Sequence, residues 1–282
     1  MKKNIFLSIF FLINSLLYAQ TNDEQKYLLT SKTNTFGLSI INLTDPYISP
    51  LSYSGIGIRY DNENRQFLSP QNTKISIQIK LNIVGGLALN PAITSSMTYL
   101  GMNYGWGLHY HFRPITGLQL MAGGLWDVDF GFKYIARNVN NPVNIDLATN
   151  LNLSGVAVYD IPLRKRVLQL QLAVQSPILG CMFVPREGAS YYEMFELWNL
   201  SDAVHLSSLF NKRGINGIFS LDVPFNRSVW RFGLSYQGLK YTANNMVFKR
   251  NELSLLIGTT FDVATFGGRK NHAPGNFIST KE

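Results

Sequence analysis

The 282-residue sequence contains a single cysteine, Cys181. An internal disulfide and any multi-cysteine metal site are therefore excluded. Charged residues make up only 15% of the chain, against 46% hydrophobic and 13% aromatic, which argues against a disordered or highly solvated protein. No segment offers the ~20 consecutive apolar residues of a spanning helix, so a helical membrane bundle is excluded as well. A Gly-rich phosphate loop, a paired-carboxylate cleft and a zinc signature are all missing, and no cofactor is expected.

What is present starts with Met1, Lys2 and Lys3, followed by an apolar stretch from Ile5 to Leu17 and the small residue Ala19. A charged start, a short apolar centre and a small residue at the cleavage position predict an export signal over residues 1–19. No cysteine follows the cleavage point, which argues against a lipidated amino terminus. The formal net charge is +8, and the basic residues gather at apparent turns, among them Arg164, Lys165, Arg166, Lys212, Arg213, Lys249 and Arg250. No helix carries an aromatic-interleaved basic stripe, so nucleic acid is not an expected partner. Anionic lipid head groups suit the dispersed charges.

The dominant pattern is alternation with period two, the mark of strands. Ile75, Ile77, Ile79, Leu81 and Ile83 alternate with Lys74, Ser76, Gln78, Lys80 and Asn82. Leu100, Met102, Tyr104, Trp106, Leu108, Tyr110 and Phe112 share one face, opposite Asn103, His109, His111 and several glycines. Alternation alone leaves two folds open, because a soluble sandwich buries the apolar face and a membrane barrel turns it to lipid. The run from Leu118 to Tyr134 alternates for 17 residues, about 55 Å at ~3.3 Å per residue, beyond the usual ~3–10 residues of a soluble strand. Aromatics gather at strand ends on the apolar face, as membrane girdles do. The sequence thus predicts an all-β fold, a single antiparallel transmembrane β-barrel with a polar, filled lumen.

Three proline-bearing connections, at Arg113-Pro-Ile-Thr, Asp160-Ile-Pro-Leu-Arg-Lys-Arg and Asp222-Val-Pro-Phe-Asn-Arg, read as short periplasmic turns, since proline cannot donate to a ladder. Long extracellular connections are then expected near 44–50, 86–97, 136–147 and 184–213. The strands count to ten, or to twelve if 178–184 and 203–210 form a pair of their own. The domain reading is a signal at 1–19, a periplasmic segment at 20–35, the barrel at 36–266 and a polar tail at 267–282. The stretch from Asp61 to Asn72 is longer than a typical periplasmic turn.

The segments Tyr53-Ser-Gly-Ile-Gly-Ile-Arg-Tyr-Asp, Ser190-Tyr-Tyr-Glu-Met-Phe-Glu-Leu and His205-Leu-Ser-Ser-Leu-Phe-Asn-Lys-Arg-Gly resemble the Bacteroidota outer-membrane barrels grouped as a domain of unknown function. The resemblance covers residues of about 30 to 265 and implies location and fold, with no activity to carry over. Barrels often end on an aromatic, whereas here Phe261 or Phe266 is followed by a polar tail.

Three constellations could carry chemistry. His205 and Ser207, at i and i+2, share a strand face, the spacing a base and a nucleophile need for ester hydrolysis. They resemble the His-x-Ser of outer-membrane phospholipases and lipid A deacylases, with Asn211, Asn216, Glu193 or Glu196 as candidates to orient the imidazole. The competing reading is a polar histidine at a strand end. His109, His111, Asp127 and Asp129 share the polar face of one hairpin, but counting back from Pro114 sets His109 across from Met121 and Asp127 across from Asn103. That separation of roughly 20 Å at ~3.3 Å per residue disfavours a shared metal, and hydrogen-bonded lumen filling is expected instead. The third is a surface loop bearing Tyr191, Tyr192, Glu193, Phe195 and Trp198, either folded over the barrel mouth or docking a membrane surface or partner. The functional expectation is a non-enzymatic structural or accessory barrel in contact with outer-membrane lipids and envelope proteins. The alternatives are a lipid hydrolase and a narrow small-solute pore.

Overall fold

The computed structural model describes residues 26–139, 141–198, 203–225, 228–264 and 276–280. The expected signal, and residues 20–25 after it, lie outside the described residues. Seven long strands come first: β1 (Lys26–Asp45), β2 (Ser49–Ser69), β3 (Asn72–Leu89), β4 (Ser96–Ile115), β5 (Leu118–Tyr134), β6 (Val143–Leu163) and β7 (Arg166–Phe183). A short helix α1 (Tyr191–Phe195) and a short strand β8 (Val204–Ser208) follow, then β9 (Lys212–Phe225), β10 (Ser228–Ala243), β11 (Met246–Ala264) and β12 (Asn276–Ile278). Among the described residues, ten of these strands, all but β8 and β12, form one antiparallel sheet that closes where β11 pairs with β1. No helix among the described residues is long and apolar enough to cross a membrane.

Alternation decides which way each residue points. Leu38 (72% exposed), Ile56 (75%) and Leu255 (69%) stand on the outer wall, while Ser39, Ser254 and Glu252 are buried inside. An apolar outer wall around a polar interior inverts the arrangement of a soluble protein, and only a lipid surround makes it favourable. The protein is an outer-membrane β-barrel. With the two-residue connections at 70–71, 116–117 and 164–165 on the periplasmic side, the extracellular mouth carries the connections 46–48, 90–95, 135–142 and 184–211. It also carries the two-residue hairpin Asn244–Asn245, whose φ angles of 50° and 61° are those of a type I′ turn.

Four expectations shift. The strand β1 starts at Lys26, so residues 26–35, expected in the periplasm, belong to the wall. The stretch Asp61–Ser69 is strand, with Pro70 and Gln71 alone in the turn. It escaped the alternation because its outer face is polar too: Asn34 Oδ1 accepts from Tyr60 Oη (2.9 Å) and Asn62 Nδ2 (2.7 Å). The pair of 178–184 with 203–210 exists, but β8 pairs only with the upper end of β7 and the wall keeps ten strands. Part of the polar tail is ordered against the barrel, since β12 pairs in parallel with Lys26–Leu28 and Ser279 Oγ donates to Asp262 (2.8 Å).

The closing seam is tight at Gly258, where any Cβ would collide with the carbonyl oxygen of Asn34 and with Cα of Thr35. Gly258→Val is expected to destabilise the barrel by about 1–3 kcal/mol, as overpacking does. The check is the urea midpoint in lipid vesicles together with the loss of the compact, heat-modifiable electrophoretic form. An unchanged midpoint would contradict the seam as described.

Candidate functional site

The interior is built in three levels from residues on the polar phase of the strands. At the extracellular mouth the phase turns apolar: Ile41, Leu43, Tyr53, Met97, Tyr99, Met182, Met246 and Phe248 form one buried cluster. Lys133 passes beside it, 5.9 Å from the Phe248 ring centroid, and reaches Asp45 (2.8 Å) and Asp146 (2.6 Å). The middle level joins Arg59 to Asp61 (2.8 Å) and to Glu252 (3.0 Å), which links β2 to β11. Beside it Lys212 donates to Asn150 (2.7 Å), and Arg250 donates to the Tyr99 hydroxyl (2.8 Å). Nearer the periplasm Arg65 pairs with Glu63 (2.7 Å) and Arg231 with Asp222 (2.6 Å).

These contacts leave little space. One lumen cavity of about 60 Å³ lies between Asp127, Asp129, Asn150, Lys212 and Arg250, and another of about 20 Å³ lies beside Glu63, Arg65 and Arg231. At ~10–15 Å³ per water, the larger has room for about four to six water molecules and the smaller for about one.

The hairpin constellation is part of this filling. His109 Nε2 contacts Ser154 Oγ at 2.9 Å, and His111 Nε2 contacts Ser76 Oγ at 2.7 Å with Gln119 Nε2 on its Nδ1 (2.9 Å). Asp127 accepts from Asn150 (2.7 Å) and Asp129 from Asn103 (2.9 Å). The register differs by two residues from the count based on Pro114: His109 lies across from Gly123 and Asp127 across from Gly105. The cause is the turn, which is at Thr116 and Gly117, with Gly117 at φ 83° where a side chain would be strained. Pro114 stays at the end of β4, past the last regular ladder pairs.

The strand β8 positions His205 and Ser207. Both face inward, opposite Met182 and Gly180 of β7, while Val204 and Leu206 take the outer side. Among the described residues no hydrogen bond joins the imidazole to the Ser207 hydroxyl, and His205 Nε2 is buried without a partner. Asn211 is turned away from both: its Nδ2 donates to Leu206 O (2.7 Å) and its Oδ1 accepts from Ser208 N (2.7 Å), which closes the connection into β9. Asn216 lies in the lumen on β9, and Glu193 faces Arg186 at 3.6 Å. Glu196 caps the carboxyl end of α1.

The loop before β8 folds over the mouth. Ser190 caps α1 by accepting from Glu193 N, Met194 is buried, and the Tyr191 hydroxyl donates to Asn144 (2.9 Å) while accepting from Ile145 N (2.7 Å). Tyr47, in the turn after β1, donates to Ala189 O (2.7 Å), and burial pushes its hydroxyl up to about 12. Tyr192 and Trp198 are exposed, and Phe195, also exposed, lays its ring beside Tyr191 and Phe183 of β7 at 6.0 Å from each. The sequence reading missed the lumen ion pairs as a set. Their signal was available, since Arg59, Glu252, Arg231 and Asp222 all fall on the polar phase of alternating strands.

Several solved barrels are similar in outline. The translocator domain of the autotransporter NalP from Neisseria meningitidis aligns over 92% of this chain and 95% of its own, with 9% identity and a TM-score of 0.43. The transport unit of the autotransporter AIDA-I from Escherichia coli aligns over 91% and 97%, with 11% identity and a TM-score of 0.44. The outer membrane protease OmpT from Escherichia coli aligns over 87% and 99%, with 6% identity and a TM-score of 0.47. No activity follows from likenesses at this level. No curated protein matches the chain. A family model described as a protein of unknown function (DUF3316) matches residues 5–270, and the chain therefore belongs to that family.

Proposed function

We propose that the protein is a closed, non-enzymatic outer-membrane barrel, of Bacteroidota source, that acts as a structural or accessory component of the envelope. The observation that carries this reading is the filled lumen. Among the described residues, a cavity of about 380 Å³ opens at the periplasmic end beside Gln119, Val158 and Gln169. The cavities within the ion-pair levels above it, of about 60 and 20 Å³, are too small to pass a solute, and the mouth is covered by α1. A barrel without a conduit acts through its surfaces, here the exposed Tyr192, Phe195 and Trp198 of the loop and the lipid-facing wall. Envelope proteins and outer-membrane lipids are the partners that fit such surfaces. The alternative, a lipid hydrolase built on His205 and Ser207, needs the pair joined at the lipid boundary, whereas both side chains face inward.

Planar-bilayer recording of the purified protein is expected to give no discrete conductance steps, and reproducible steps would favour the pore. In cells, Ser207→Ala is expected to leave the envelope lipid profile of the wild type unchanged by mass spectrometry at equal amounts of folded protein. Loss of a lyso-phospholipid or deacylated lipid A species in that variant would overturn the non-enzymatic reading.

The lumen network makes a separate prediction. Arg59→Met leaves the buried Asp61 and Glu252 without their cation, a loss of about 3–5 kcal/mol. Adding Asp61→Asn and Glu252→Gln is expected to restore most of that loss, as read from urea midpoints in lipid vesicles.

A further inference from the structure

The outer wall carries one arrangement that a lipid-facing surface does not explain. Arg213 on β9 pairs directly with Lys240 on β10, and Lys240 pairs directly with Lys249 on β11. All three side chains are exposed on the outer side, within three residues of the extracellular ends of their strands. Like charges placed directly across a ladder repel and destabilise it. Among the described residues no carboxylate pairs with any of the three; the recorded partner is a carbonyl, with Arg213 Nε donating to Leu209 O at 3.2 Å. Among the described residues, nothing supplies the compensating charge.

The wall below the cations shows what kind of molecule carries that charge. A groove of about 420 Å³ lies beside the row, lined by Ile215, Tyr236 and Gly238, with the Tyr236 ring lying over Gly238 and its hydroxyl donating to Asn251 Oδ1 at 3.4 Å. Next in register comes a polar step, Gly238, Asn251, Asn42 and Ser54, in which Ser54 Oγ donates to Asn42 Oδ1 at 2.6 Å. Beneath it the outer face becomes apolar at Leu234, Leu253 and Leu255. From the extracellular side inward, the wall therefore presents cations, then amides and hydroxyls, then hydrocarbon.

We propose that this surface binds a phosphorylated glycolipid of the outward leaflet. The phosphate lies against Arg213, Lys240 and Lys249, the sugar against Asn251 and Asn42, and the acyl chains along Leu253 and Leu255. A glycerophospholipid supplies the phosphate but has no sugar to use the polar step. The site also explains why three cations stand directly across from one another on the outer phase of β9, β10 and β11.

The test is native mass spectrometry of the full-length protein in detergent, titrated with diphosphoryl lipid A, dephosphorylated lipid A, phosphatidylglycerol or inorganic phosphate. Diphosphoryl lipid A is expected to remain bound at least tenfold more tightly than the other three. R213Q/K240Q/K249Q is expected to lose that preference by a similar factor, while K74Q/R164Q/K165Q, which removes three exposed cations from the periplasmic end, keeps it. Equal binding of the dephosphorylated form, or of the R213Q/K240Q/K249Q variant, would overturn the site. Equally tight phosphatidylglycerol or inorganic phosphate would overturn its assignment to a glycolipid. If the triple variant fails to give the heat-modifiable folded form, the four-ligand comparison on the wild type decides alone.

Discussion

Lipid offers no hydrogen bonds to a backbone, and the whole structure answers to that constraint. Each N–H and C=O within the membrane must be paired inside the chain, and a sheet achieves this only by having no edge. The seam in which β11 meets β1, from Leu29 with Ala264 to Thr44 with Lys249, therefore decides whether the other ladders can exist in a bilayer at all. Closure forces the strands to keep one face to lipid and the other to a narrow interior. The period-two alternation is the written form of that demand.

Filling the interior is the second consequence. A ten-strand wall encloses space that side chains must occupy, and those side chains come from the face opposite the apolar one. They are accordingly polar, and burial makes their pairing obligatory. Arg59 illustrates the solution, since one guanidinium satisfies a carboxylate on its own strand and another on β11. The same logic absorbs His109, His111, Asp127 and Asp129, which looked like chemistry in the sequence and are hydrogen-bonded to Ser154, Ser76, Asn150 and Asn103. Among the described residues, only His109 Nδ1 of that set is buried without a partner.

Much of this was legible wherever alternation was strict. Leu118–Tyr134 is β5 to the residue, because its two faces differ sharply over the whole run. Asp61–Ser69 was not legible as strand, because an outer face bearing Asn62 and Asn64 breaks the polarity contrast the pattern relies on. Register failed at the β4–β5 hairpin, where Pro114 was a conspicuous but wrong marker and Gly117 set the turn. The spacing of His205 and Ser207 correctly put them on one face. Which β7 residues they meet depends on how β8 docks, a long-range choice that five residues do not encode, whereas Val204 and Leu206 already read as the outer-wall positions. The row of Arg213, Lys240 and Lys249 was invisible for the same reason, since cross-strand neighbours that lie far apart in the chain become neighbours only through register.

The branching of β7 sets the mechanical character of the wall. Its lower part pairs with β9 over the seven positions from Gln169 to Gln175, and its upper part, beyond the irregularity at Pro177, pairs with β8 instead. The β1–β11 ladder holds sixteen paired positions. A cylinder with one short ladder is a spring with one soft coil. Thermal breathing and lateral strain from the surrounding lipid concentrate where the fewest hydrogen bonds resist them. The soft coil runs past Gly214 and Pro177 into the polar pocket of Asp127 and Lys212, so the line of least resistance in this barrel connects an interior cavity to its own flank.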